Sequence, residues 1–127
     1  MKIGYIRNSR ITQDNSVEVQ TKLINEFCEN NKIKLDQIII DEGISGSGDN
    51  TKHRDGYNSI IEMIHNKEID TLVVISISRW GRNLGEIYKS VQLMETKGVN
   101  FLSIKENIDT STPYGRFTIN LLSSLYE

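Results

Sequence analysis

Arg7 and Ser9 stand two residues apart at the end of an alternating segment, and Arg79 and Arg82 stand three apart just after an apolar run. In an extended strand, positions i and i+2 point to the same side, so Arg7 and Ser9 share a face. Arg79 and Arg82 project together if the chain after the run turns helically. Guanidinium forks match phosphate oxygens and stay charged at any working pH, so three arginines around one hydroxyl make a phosphate site. The same cations would stabilise the extra negative charge of a pentacovalent transition state, each ~1.4 kcal/mol of preferential stabilisation being worth about tenfold in rate. Taken singly, an arginine at a strand end is a surface charge or an ion-pair partner, and a lone serine is a turn residue. Clustered, the arginines repel one another and call for an anion or acidic partners.

The elements that must position these residues are readable in order. Lys2 to Asn8 alternates and reads as a first strand. Residues 16 to 30 place Val17, Leu23, Ile24, Phe27 and Cys28 on one helical stripe, with Asn15 and Glu18 spaced as a capping box. Leu35 to Asp41 holds the β-branched run Ile38-Ile39-Ile40 and reads as a second strand. Gly43 to Asn50, with glycines at 43, 46 and 48, reads as a loop. Tyr57, Ile60, Ile61 and Ile64 mark a second helix. Thr71 to Ile77 is nearly continuous in apolar residues, as in a parallel strand covered on both faces, and is the expected centre of the sheet. Asn83 with Glu86 opens a helix carrying Leu84, Ile87, Tyr88, Val91 and Met94, which Gly98 ends. Val99 to Ile104 is a fourth strand, and Thr112-Pro113 caps a last helix with Phe117, Leu121, Leu122 and Leu125 on its stripe.

Strands alternating with helices predict an α/β domain with a mainly parallel sheet. In such a sheet ligands sit beyond the C-terminal strand ends. Arg7 and Ser9 close the first strand while Arg79 and Arg82 follow the central one, so both basic clusters converge on that edge. The charge pattern agrees: residues 1–13 carry +3 and residues 71–85 carry +2 within a 127-residue chain of net charge −2. A balance so near zero excludes a dedicated, strongly basic nucleic-acid-binding block. The single Cys28 excludes an intrachain disulfide and points to a reducing compartment. One cysteine and two isolated histidines fit no zinc spacing, and no apolar run approaches the ~20 residues that span a bilayer. A cytoplasmic protein without a membrane partner is the expectation.

Tyr5-Ile6-Arg7-Asn8-Ser9 with Gln13 resembles the opening motif of the serine recombinases (resolvases, invertases and large serine integrases), in their N-terminal catalytic domain. Further matches follow in order: Gln20, Asp41-Glu42-Gly43-Ile44-Ser45-Gly46, Arg54, Ile69-Asp70, Arg79-Trp80-Gly81-Arg82, Asn107-Ile108-Asp109-Thr110 and Gly115-Arg116. Each is weak alone, but the ordered set covers essentially the whole chain. The resemblance implies a resolvase-like fold and attack by the Ser9 hydroxyl on a DNA phosphodiester, giving a 5′-phosphoserine link and a free 3′-hydroxyl. It implies that Arg7, Arg79 and Arg82 hold the phosphate, with Gln13, Gln20 and Arg54 in second rank. Because the covalent link keeps the energy of the broken bond, it implies neither ATP nor a metal. DNA and a homodimer or homotetramer of the full-length protein are the implied partners. The chain departs from the family's common pattern at Ser78, where Asp is usual, and at Asn8, where Val is usual.

Other signals weigh less. Gly43 to Gly48 has the gap of a P-loop but is followed by Asp49-Asn50 instead of Lys and Ser/Thr. Asp41-Glu42 at a strand end, with Lys105, could suggest a metal or phosphoacceptor site, although the opening strand supplies Arg7 and Ser9 where acids would belong. Trp80 reads either as a nucleotide-stacking or as a packing residue, and His53 and His65 as solvated surface. The last helix reaches Tyr126-Glu127 with its apolar stripe unbroken and no C-cap, so the chain is expected to be a C-terminally truncated fragment lacking its DNA-binding part. Two other readings stand beside the recombinase: an assembly module of the same fold that only dimerises, and a flavodoxin-like phosphate-binding regulatory domain.

Overall fold

A computed structural model describes residues 1–8, 16–42 and 54–125. The elements are β1 (Lys2–Asn8), α1 (Val17–Asn30), β2 (Gln37–Glu42), α2 (Asp55–His65), β3 (Thr71–Val74), α3 (Ile77–Trp80), α4 (Leu84–Lys97), β4 (Asn100–Ser103), β5 (Ile108–Asp109) and α5 (Pro113–Ser124). Among the described residues the strands form one sheet in the order β2-β1-β3-β4-β5. The first four are parallel, with Tyr5 opposite both Ile39 and Val74, and only β5 runs antiparallel, against β4. The α/β, mainly parallel architecture expected from the sequence is the one present.

The period-2 alternation of β1 divides the core. Ile3 and Tyr5 face a cluster built from α2, α4 and α5 through Tyr57, Ile60, Ile64, Ile87, Val91, Met94 and Ile119. Ile6 faces the opposite cluster, where Val73 and Leu102 meet Ile24 and Cys28 of α1. All four residues of β3 are buried, which fits its place at the middle of the sheet. α4 begins and ends as its sequence indicates: the Asn83 side chain accepts from the Glu86 amide, and Gly98 takes the left-handed conformation at φ 74°. The Thr112 hydroxyl likewise accepts from the Gly115 amide, two residues after Pro113 opens α5.

Three expectations need correction, and one strand is additional to those expected. β3 ends at Val74; Ile75 and Ile77 are buried by packing in a bend and in α3, and an apolar run reports burial without separating strand from turn. α1 is capped by Ser16, whose hydroxyl accepts from the Val19 amide, and Leu23 on its assumed stripe is exposed. β5 has two residues, too few to carry a period, and no strand is expected there from sequence. In α5, Ile119 is buried while Phe117 and Leu121 are exposed, as is Leu125 just beyond the helix. The loop at Gly43–Asn50 lies outside the described residues. Among the described residues no helix is long and apolar enough to cross a membrane.

Candidate active site

β1 and β3 are adjacent parallel strands, so the residues that follow them emerge at the same edge of the sheet. Arg7 lies one residue from the end of β1, on the face of Ile3 and Tyr5, and is almost wholly buried. Its Nη2 donates to the backbone carbonyl of Ser78, in the turn that leaves β3. The Arg7 carbonyl in turn accepts from Gln20 Nε2 at 3.4 Å, so a buried side chain of α1 supports the strand end that carries the cation.

The turn after β3 is held from its other side by Glu106. The Ile77 amide donates to both Glu106 carboxylate oxygens at 3.3 Å, and the Ser103 hydroxyl donates to Oε1 of the same group. α3 thus has a carboxylate at its start, where its first free N–H groups lie. Arg79 sits on this short helix, half-buried, and its guanidinium makes no hydrogen bond or ion pair with the described residues. Arg82 follows it and is exposed. The expected helical projection of Arg79 and Arg82 together is not formed: α3 stops at Trp80, and Gly81 is extended at φ −109° and ψ 155°. The chain must straighten there to reach the Asn83 cap of α4, which tertiary packing requires and local spacing does not reveal. The structure still brings Arg7 against the segment 78–82.

Arg54 is turned inward. Its Nη1 donates to Glu86 Oε2 at 2.8 Å, its Nη2 to the Trp80 carbonyl at 3.1 Å, and its guanidinium carbon lies 3.8 Å from the centre of the Tyr57 ring. Burial alone would lower the Arg54 pKa, but the Glu86 carboxylate outweighs it and raises it. Burial would raise the Glu86 carboxyl, yet Arg54 and the Arg82 amide, which donates to Oε1 at 2.9 Å, hold it below the usual carboxylate range. The expected second-rank residue is therefore a buried strut beneath the arginine turn. Glu86 has this role without being foreseen; its position three residues after Asn83 shows only the helix start.

Trp80 is fully buried, with ring centres 5.3 Å from Tyr5, 4.5 Å from Tyr57 and 6.4 Å from Phe101, and its indole N–H donates to Ser90 Oγ at 2.7 Å. Held among these rings, it is not presented for stacking on a nucleotide. Asp41 is also satisfied internally: Oδ2 accepts from the Tyr5 hydroxyl at 2.6 Å and from the Tyr57 amide at 2.8 Å, and Oδ1 from the Gly56 amide at 2.7 Å. A strand residue therefore caps the start of α2 from across the loop, and the reading of Asp41 as a metal ligand or phosphoacceptor gives way to this one. Among the described residues no group of three or more His, Cys, Asp or Glu is placed to hold a metal ion. Asp70, part of the ordered motif set, lies at the opposite edge of the sheet, 2.8 Å from Lys2 Nζ. His65 is exposed at the end of α2. Ser9, Gln13 and His53 lie outside the described residues.

Comparison with known proteins bears on this geometry. The family model described as Resolvase, N terminal domain, matches residues 2–127. A DNA-invertase of Escherichia phage P1 is 32% identical over 127 residues, covering 100% of this chain and 61% of that protein. The serine recombinase gin of Escherichia phage Mu is 31% identical over 128 residues, covering 100% of this chain and 58% of that protein. The chain thus spans about three-fifths of the length of these curated relatives. Among solved structures, the N-terminal catalytic domain of TP901-1 integrase superposes with a TM-score of 0.78 at 25% identity, covering 98% of this chain and 94% of that one.

Proposed function

The chain belongs to the resolvase family of serine recombinases, and on that premise we propose that it is the catalytic part of a longer enzyme that recombines DNA at specific sites. The observation that carries the reading is the tie between Arg7 at the end of β1 and the Ser78 carbonyl, one residue before Arg79. It joins one cation of the set, two residues before Ser9, to the segment bearing the other two.

In the proposed reaction the Ser9 Oγ forms a bond to the phosphorus of a DNA phosphodiester, and the bond from phosphorus to the 3′-oxygen breaks. The serine hydroxyl loses its proton and the departing 3′-oxygen gains one, leaving a 5′-phosphoserine link. After strand exchange, a 3′-oxygen bonds to that phosphorus as its hydroxyl proton leaves, the bond from phosphorus to Ser9 Oγ breaks, and Oγ regains a proton. One phosphodiester is exchanged for another in each direction, so no external energy source enters. Arg7, Arg79 and Arg82 hold the phosphate and meet the charge that grows on its oxygens. Gln20 acts by supporting the Arg7 backbone, Arg54 by supporting the turn, and Gln13 is assigned second rank with them.

DNA is the proposed partner, and the acting species a homodimer or homotetramer of the full-length cytoplasmic protein. The exposed face of α5, with Tyr114, Phe117 and Leu121 each more than half accessible, and Leu125 just beyond it likewise, supports an assembled state. The test incubates the full-length protein with a nicked DNA bearing its site and looks for a covalent protein–DNA adduct. Wild type should form it and Ser9→Ala should not. An undiminished adduct from Ser9→Ala, or none from wild type, overturns the reading.

A further inference from the structure

We propose that Glu86 is a positioning residue for DNA cleavage, acting through Arg54 and the Arg82 turn. The inference rests on the recombinase reading above and adds a residue that the ordered motif set does not contain. Both carboxylate oxygens of Glu86 are used, and on different parts of the chain: Oε2 takes Arg54 Nη1 at 2.8 Å and Oε1 takes the Arg82 backbone amide at 2.9 Å. The Glu86 amide is itself fixed, donating to Asn83 Oδ1 at 2.8 Å in the first turn of α4. A single side chain therefore sets the distance between the residue that precedes α2 and a cation of the site.

The partner positions strengthen this. Arg54 is 7% exposed and Glu86 27%, so the pair is largely removed from water and its geometry is held tightly. Arg54 also bonds the Trp80 carbonyl at 3.1 Å, which makes residues 80 and 82 two anchor points of one clamp on the segment following Arg79. If the carboxylate is neutralised, the buried guanidinium loses its counter-charge and one side of the clamp opens. Small displacements of groups that meet a transition state are costly in rate while leaving ground-state binding nearly intact.

The test uses the full-length protein and a nicked site-bearing DNA at saturating protein, at a temperature where each variant is fully folded by near-ultraviolet circular dichroism. Glu86→Gln keeps the side-chain length and one acceptor oxygen but removes the charge. Its single-turnover rate of adduct formation should fall on the order of tenfold or more, with DNA affinity changed less than about twofold. In an Arg54→Lys background the same substitution should cost much less, because the two act as a unit. Should Glu86→Gln fail to fold, Glu86→Asp, which keeps the charge and shortens the reach, is read by the same criteria. A folded Glu86 variant that cleaves at the wild-type rate, or whose loss is fully additive with that of Arg54→Lys, overturns the proposal and leaves the recombinase reading standing. No adduct from wild type overturns both.

Discussion

The Tyr5 hydroxyl donates to Asp41 Oδ2 at 2.6 Å, binding the first strand to the second just where the second strand also caps α2. Asp41 accepts from three donors, two of them backbone amides of Gly56 and Tyr57. Asp41→Asn cannot accept from all three and loses the charge at the helix start, so it should destabilise the domain by about 2 kcal/mol. Tyr5→Phe removes one hydrogen bond and should cost about 1 kcal/mol. Urea unfolding at constant m-value measures both, and an Asp41→Asn domain as stable as wild type would contradict the assigned cap.

The buried tyrosines fix a limit at high pH. Burial, then the Glu86 carboxylate, pushes Tyr57 from 10.0 up to about 12. Burial, then Asp41, pushes Tyr5 well above the ordinary tyrosine range. The folded state binds these protons more tightly than the unfolded state. Their contribution is whole below pH 10 and is lost as pH rises from 10 through about 12 for Tyr57, and beyond that for Tyr5. Stability should decline there by on the order of 1.4 kcal/mol per pH unit for each group. Tyr57→Phe should flatten the decline between pH 10 and 12 in chemical denaturation series; an unchanged slope would contradict the assignment.

Glu86 supplies the opposite sign. Its carboxyl is held below the ordinary glutamate value of 4.5, so its contribution is whole above that pH and is lost as pH falls through the depressed folded value. Urea midpoints measured from neutral to acid pH should fall more steeply for wild type than for Glu86→Gln in this window. Parallel curves would show that the Arg54 contact adds nothing to the folded state.

Gly115 tests how α5 is seated. A Cβ there would lie 2.0 Å from the Asp109 carbonyl oxygen and 2.5 Å from its carbon. Both are backbone atoms of β5 and cannot rotate away. Gly115→Ala should therefore destabilise by about 3 kcal/mol or detach α5 from the sheet edge, read by thermal melting and by faster amide exchange across residues 113–124. A variant that melts with wild type would place α5 elsewhere.

How much of this was legible in the sequence depends on the range of each signal. The Asn83 cap, Gly98 and the Thr112-Pro113 start are local, decided within about four residues, and the structure reproduces them. The parallel sheet followed from strands alternating with helices. What escaped is non-local. Arg54 and Glu86 are 32 positions apart, and Tyr5 and Asp41 are 36, so no spacing rule links them. The inward turn of Arg54, the burial of Trp80 and the extended Gly81 between the site arginines all arise from packing against α2 and α4. For the proposed site, the sequence offers Arg7, Arg79 and Arg82, and the edge they share follows from β1 and β3 being neighbours. Their carboxylate supports, Glu86 and Glu106, carried no sequence signal beyond a helix start and a turn.

The most direct test of the central claim is to locate the covalent bond. Full-length protein is trapped on a nicked DNA bearing its site, the adduct is digested with protease and nuclease, and the modified peptide is sequenced by mass spectrometry. The expected result is a 5′-linked nucleotide phosphate on Ser9. A phosphate on any other side chain, or a linkage through the 3′ end, would contradict the account.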